Sequence, residues 1–214
     1  MPTRRPNRRP VTWVLVALIA TVAAWLGYQY GLSNVTATYR ADRALEALRQ
    51  DWAERGVSSA AGAPVWIGDG EAFAIIRIPA FSASYAWPVS SGMGALDRGF
   101  AWYPESAQPG QIGNFALACH RITHGAPCAG LTGLKAGDTV TVETRDATYT
   151  YSIVVPASEL TVSEDAGWVL DPVPGKGEAV PWEPILTITT AQDLVSSPDR
   201  SVAFGVLTSK EMKK

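Results

Sequence analysis

Reactive side chains are scarce in this chain. Its 214 residues hold two cysteines, two histidines and three methionines. The acids are scattered, and neither His120 nor His124 is spaced with Cys or Asp as zinc sites require, so the pattern points to no metal and no cofactor. Charge is also sparse. Charged residues make up 18% against 47% hydrophobic, which excludes a disordered chain. Basic charge is short everywhere except at the start, where Arg4, Arg5, Arg8 and Arg9 cluster without an acid. Without those four, 14 Lys and Arg face 20 Asp and Glu, a net charge of −6. That balance disfavours nucleic acid as a partner of the folded part. No repeat of fixed period and no low-complexity tract is visible, and the length suits one ordinary domain plus extras.

What is there begins with an apolar run. Val11 to Leu26 is almost unbroken and reaches Leu32 through Gly27, Tyr28, Gln29 and Tyr30. About 20 such residues cross a bilayer as a helix. Trp13 at one end and Tyr28 and Tyr30 at the other suit its two interfaces. The arginines keep residues 1–10 as a basic cytoplasmic tail, and the chain beyond the span of 11–32 lies outside. A cleaved signal peptide is the rival. Its small-residue region, Thr21-Val22-Ala23-Ala24, sits inside the run with Trp25 and Leu26 directly after it, which favours an uncleaved signal-anchor. The expected location is therefore the cell membrane, single-pass, with the following domain extracellular.

Residues 33–64 read as a helical stalk and linker. Val35 to Arg55 is rich in Ala, Arg, Glu and Leu, and Leu45, Leu48 and Trp52 fall on one helical face. Ser33 or Asn34 is placed to cap its start, and Gly56 to stop it. A stalk lifting the domain off the membrane is preferred to a partner-binding helix. Small residues from Gly56 to Pro64 form the linker.

Residues 65–214 change period. Phe73–Ile78, Tyr85–Val89, Asn114–His120, Thr139–Glu143, Thr148–Val155, Ile185–Thr190 and Val202–Leu207 read as strands, separated by turn signals such as Pro109-Gly110 and Gly137-Asp138. About seven to eight short strands imply an all-β domain, a closed β-barrel that leaves no exposed edge.

Three strand ends carry the chemistry. His120 closes the run Asn114–Cys119. On a strand it shares a face with Ala116 and Ala118, while Cys119 points the other way. Leu186-Thr187-Ile188-Thr189-Thr190 ends at Ala191, and nine residues later Arg200 opens the last run. Taken singly, His120 reads as a satisfied strand-end histidine and Arg200 as a solvated turn arginine.

The surrounding words make the combination specific. Gly113-Asn114-Phe115-Ala116-Leu117-Ala118-Cys119-His120-Arg121 followed by Gly125-Ala126-Pro127 resembles the histidine segment of sortases. Trp102-Tyr103-Pro104 with Pro109-Gly110, and Leu134-Lys135-Ala136-Gly137-Asp138-Thr139-Val140, are similar to neighbouring family segments. Thr187-Ile188-Thr189-Thr190-Ala191 resembles the family's TLxTC motif, with Ile188 for leucine, and Arg200 stands where the family's arginine belongs. The resemblance covers roughly residues 72–208 and is strongest to the actinobacterial class E branch. It implies a sortase-like barrel and a membrane-anchored cysteine transpeptidase. The family's cysteine attacks the Thr-Gly bond of a C-terminal sorting signal, LAxTG-like in class E. An amine from a cell-wall precursor or a pilin lysine then resolves the acyl-enzyme. The implied site is His120 carrying the proton, Arg200 meeting the oxyanion, and Thr189 and Thr190 beside the substrate. The implied partners are surface proteins bearing that signal.

Two departures matter. Cys119 precedes the histidine where the family usually has glycine, and Ala191 stands at the nucleophile's place. A methyl group forms no acyl-enzyme, so the chain as written is expected to be inactive. A deliberate Cys-to-Ala change and a natural pseudoenzyme both account for Ala191, and the pseudoenzyme would be a binding module for sorting signals or a partner sortase. Cys119 and Cys128 read equally as a disulfide or as two buried thiols. Trp168, Val169 and Leu170 are placed either to wall a peptide groove or simply to pack.

Overall fold

Alternation of buried and exposed side chains builds most of the strands. The computed structural model describes residues 9–57, 68–193 and 197–213, without the side chains of 9–11, 29 and 30. Most of the basic tail and most of the linker lie outside the described residues. Nine strands are seen: β1 (Ala72–Arg77), β2 (Trp87–Ser91), β3 (Phe100–Trp102), β4 (Gly113–Cys119), β5 (Thr139–Glu143), β6 (Ala147–Val155), β7 (Thr161–Ser163), β8 (Pro184–Ala191) and β9 (Asp199–Met212). Eight close a barrel in the order β6–β5–β1–β2–β3–β4–β8–β9, with β9 returning to β6. The ninth, β7, pairs with the first residues of β9. β2–β3 and β4–β8 are parallel, and the other pairs are antiparallel.

The barrel interior takes one parity of each strand. Phe115, Leu117 and Cys119 of β4 meet Leu186 and Ile188 of β8 and Ala203 of β9 there, all buried. Each large apolar side chain so buried contributes about 1.5–3 kcal/mol relative to exposure. The opposite parity of the same strands forms a second apolar layer outside the barrel. Val202 and Phe204 of β9 pack there with Val169 from the β7–β8 connection. This outer layer underlies the candidate site.

The helices differ from expectation. Helix α1 (Arg9–Gly27) passes through a π-helical turn, Tyr28–Leu32, straight into α2 (Ser33–Arg55). Because the helix does not start at Ser33, neither Ser33 nor Asn34 acts as its cap. Gly56, with φ of 64°, ends α2 as expected, its N–H returning to the Trp52 carbonyl. No helix among the described residues is long and apolar enough to cross a membrane, so the span expected over 11–32 is not established by the fold. The expected stalk does not stand clear of the barrel. Leu45 and Leu48 are buried against Ile75, an outward residue of β1, with Trp52 beside them. The apolar stripe that suggested a helix has found the barrel's outer wall. Lys213 adds a cation over the Trp52 ring at 4.3 Å.

Candidate functional site

Register across three strands sets the site. In the parallel β4–β8 pair Ala116 lies opposite Thr187 and Ala118 opposite Thr189. The paired register ends there, and His120 and Ala191 each follow two residues on. In the antiparallel β8–β9 pair Ala191 lies opposite Arg200. Ala191 and Arg200 are therefore cross-strand neighbours, and His120 follows the end of β4 on the adjoining strand, with strands about 4.8 Å apart. Ala118, Thr189 and Val202 pair one step below. His120, Ala191 and Arg200 thus come from the ends of three adjacent strands, β4, β8 and β9.

The strand ends are tied where they meet. The Thr190 hydroxyl donates to the Cys119 carbonyl at 2.8 Å, and the Thr189 hydroxyl donates to the Leu117 carbonyl at 3.3 Å. Both threonines are buried. Their hydroxyls clamp β8 to β4, which is a structural use of the two residues expected beside the substrate. Further back along β4, Asn114 Nδ2 donates to the carbonyls of Val169 and Asp171, and the Thr187 hydroxyl donates to Asn114 Oδ1. These bonds pin the 167–170 turn against the outer layer. Val169 packs, while Trp168 stays partly exposed beside Phe204.

His120 is held from the side opposite Ala191's strand. Its Nε2 is 3.0 Å from Asp97 Oδ1, on the short 3-10 helix Met93–Arg98. His124 Nε2 lies 3.6 Å from the same oxygen, and the two imidazoles stack at 4.5 Å between centroids. Burial pushes the His120 pKa down, and the His124 ring adds to that. The Asp97 hydrogen bond and charge oppose them, and the net direction is down. Neutral imidazole is therefore favoured. Asp97 was invisible in the sequence because it stands 23 residues before His120 with no motif linking them. Among the described residues, one ligand atom each from Asp97, His120 and His124 lie within 4.8 Å of one another, a grouping that sequence spacing did not show.

The loop after His120 is closely constrained. Cys119 and Cys128 form a disulfide, and no cysteine is free. The Cys128 N–H donates to the His120 carbonyl at 2.9 Å. From α2, Asn34 Oδ1 accepts the Gly125 N–H at 2.8 Å and its Nδ2 donates to the Ile122 carbonyl at 3.3 Å. His124 and Ala126 both take left-handed backbone, at φ of 55° and 50°, with Gly125 between them at 80°. Gly125 is required twice over, since a Cβ there would overlap the Trp87 ring.

Arg200 faces a different set of partners. Its guanidinium donates to Glu164 Oε2 at 2.6 Å and to the carbonyls of Ser197 and Asp199 at 2.8 and 3.0 Å. Glu164 follows β7, and its N–H donates to the Pro198 carbonyl. The Ser201 hydroxyl meets Gln192 Oε1 beneath this turn. Glu164, like Asp97, carries no sequence signal, because β7 is only three residues long.

A family model described as the sortase domain matches residues 76–208. The chain belongs to the sortase family. Within it, the chain is 33% identical to sortase SrtE1 of Streptomyces coelicolor over 204 residues, covering 91% of this chain and 53% of that protein. This sortase thus spans about half the length of that curated relative. The structure of sortase E from Streptomyces avermitilis superposes with a TM-score of 0.60 at 30% identity, over 68% of this chain and 93% of that one. Sortase E1 from Streptomyces coelicolor, solved with a tripeptide in the active site, gives 0.59 at 29% identity, over 69% and 94%. The class E character expected from the sequence is therefore shown. The two cysteines of this sortase, Cys119 and Cys128, are both taken up by the disulfide.

Proposed function

We propose that this sortase is a membrane-anchored, outward-facing protein that engages an LAxTG-like C-terminal sorting signal without acylating it. The observation that carries the reading is Ala191 paired with Arg200, beside the strand that leads to His120, in a chain whose cysteines are both in a disulfide. Proton carrier and guanidinium are retained while the group that attacks is replaced by a methyl. Removing an acting nucleophile costs on the order of 10⁶ in rate. What remains is a groove with a neutral imidazole at one wall, a guanidinium at the other, and the apolar 167–170 turn along it. Such a groove offers hydrogen bonds to a peptide backbone and an apolar wall to its side chains. The tripeptide seen in the active site of sortase E1 supports a peptide as the occupant. The partners in this reading are surface proteins carrying the signal. With a thiol at 191, an amine from cell-wall precursor or a pilin lysine would complete transfer.

Anchoring is supported by α1, whose Trp13, Leu15, Ile19 and Trp25 are more than half exposed with no protein surface to cover them. The arginines before it orient the N-terminus to the cytoplasm. Fluorescence titration of a Leu-Ala-x-Thr-Gly peptide against the full chain in detergent tests the reading. Saturable binding without cleavage is expected. Cleavage by the chain as written would overturn it, and absence of binding to any sorting-signal peptide would reduce the protein to a structural barrel.

A further inference from the structure

We propose that Asp97, His120 and His124 form a binding site for a divalent transition metal of the zinc type. The inference is independent of the sorting-signal reading, because it rests on the histidine wall alone.

Ligand chemistry and spacing support it. Two imidazoles and one carboxylate are a common three-ligand set for zinc, leaving a fourth position to water or another ligand. Metal–ligand distances near 2.0–2.2 Å place the corners of a tetrahedron about 3.3 Å apart. The observed separations from Asp97 Oδ1 are 3.0 Å to His120 Nε2 and 3.6 Å to His124 Nε2, on either side of that value. The nitrogen assignments agree as well. His124 Nδ1 is engaged by the Thr123 hydroxyl at 3.0 Å, which leaves Nε2 to face the carboxylate. A partner on the far nitrogen is what orients metal-binding histidines elsewhere. The stacked rings require a modest turn of the His124 imidazole to aim both nitrogens at one ion.

The backbone supplies a second, separate observation. His124 is not delivered by a pliable loop. It sits at a left-handed φ, between a disulfide-closed end and a segment clamped by Asn34 of α2. Left-handed backbone at a residue other than glycine is uncommon and persists where the surroundings over-determine it. The loop thus commits backbone strain to bringing the chain's second histidine beside its first. These are also the only imidazoles in the sequence. With both cysteines in the disulfide, the chain has no other pair of nitrogen or sulfur ligands for such an ion. Occupation of Nε2 would turn His120 from a proton carrier into a ligand, beside the alanine at 191.

The test uses the full chain in detergent micelles, without a polyhistidine tag and with carbon-13-labelled histidine. Zinc chloride is titrated while both ring C–H signals are followed, and affinity is read by competition with a chromophoric chelator. Both histidine signals are expected to shift together and saturate at one zinc per chain. Asp97→Asn should weaken the affinity by at least about tenfold, and cobalt should give a four-coordinate visible spectrum. The titration of the unmutated chain stands even if a variant folds poorly. A shift of neither signal or of only one, or an affinity untouched by Asp97→Asn in a folded variant, would overturn the site and leave an Asp–His hydrogen bond.

Discussion

Removing the disulfide is the perturbation whose size the structure fixes best. Cys119 and Cys128 are nine residues apart, and both are buried, at 4% and 0% exposure. Closing a loop of that length removes roughly 9 cal/mol/K from the unfolded chain, or about 2.6 kcal/mol at room temperature. Cys119→Ala with Cys128→Ala also deletes two buried sulfurs, roughly 1 kcal/mol each. The double variant should therefore lose about 4–5 kcal/mol, a large part of the ~5–15 kcal/mol typical of a domain. With a urea dependence of about 2 kcal/mol per molar, the unfolding midpoint should fall by roughly 2 M. Reduction of the unmutated chain by a phosphine isolates the cross-link contribution and should account for somewhat more than half of that drop. Urea unfolding followed by tryptophan fluorescence is the assay. A midpoint shift below about 0.5 M for the double variant would refute the reasoning, since the unfolded loop would then be no freer without the bridge.

Other consequences are as direct. Ala191→Cys should introduce an alkylatable thiol beside His120 and start cleavage of a quenched Leu-Ala-x-Thr-Gly peptide, measured against the chain as written; a reactive thiol without cleavage would place the defect in the groove as well. Leu48→Ala empties a buried contact between α2 and Ile75 and should cost about 2–4 kcal/mol, read as earlier proteolysis of the helix and a lower melting temperature. Burial pushes the Glu143 carboxyl up, but Lys213 and Arg77 outweigh it and hold its pKa below 4.5. A carboxylate depressed on folding stabilises above its unfolded pKa, so this contribution should fade as pH drops below about 4.5, and Lys213→Met should flatten that part of the stability–pH curve.

The barrel was largely legible because its strands alternate. β4, β5, β6 and β8 match the sequence reading within about one residue at each end. β3 and β7 were missed, each being three residues long, too short for a period of two to show. The strand ends that carry His120, Ala191 and Arg200 were readable because each closes or opens an apolar run. Asp97 and Glu164, which hold the two side chains, were not readable. They come from a 3-10 turn and from a connection, and only tertiary closure brings them to the site. The surface that α2 packs against was not readable for a related reason. The face carrying Leu45, Leu48 and Trp52 was visible, but a single helix cannot say what covers its stripe.

The two retained polar residues of the site do not carry equal weight as signs of function. His120 sits in a segment that the fold would keep in any case. The disulfide, the Asn34 clamp and the Cys128 N–H all fix the backbone around it. Arg200 is tied less deeply, to two carbonyls of its own turn and to Glu164. Its side chain is about one-third exposed, its ion pair is with a half-exposed Glu164, and pairs of that kind contribute about 0–1 kcal/mol. Losing the guanidinium should therefore barely disturb the barrel, so stability gives little reason for its presence. The proposed use toward a bound peptide requires it to leave Glu164. Two substitutions separate the possibilities. Glu164→Gln frees the guanidinium and should tighten sorting-signal peptide binding severalfold at nearly unchanged melting temperature. Arg200→Met should weaken binding about tenfold or more, again with little change in melting temperature. If Arg200→Met instead unfolds the protein while peptide binding by Glu164→Gln stays the same, Arg200 is a structural residue and the groove is no receptor.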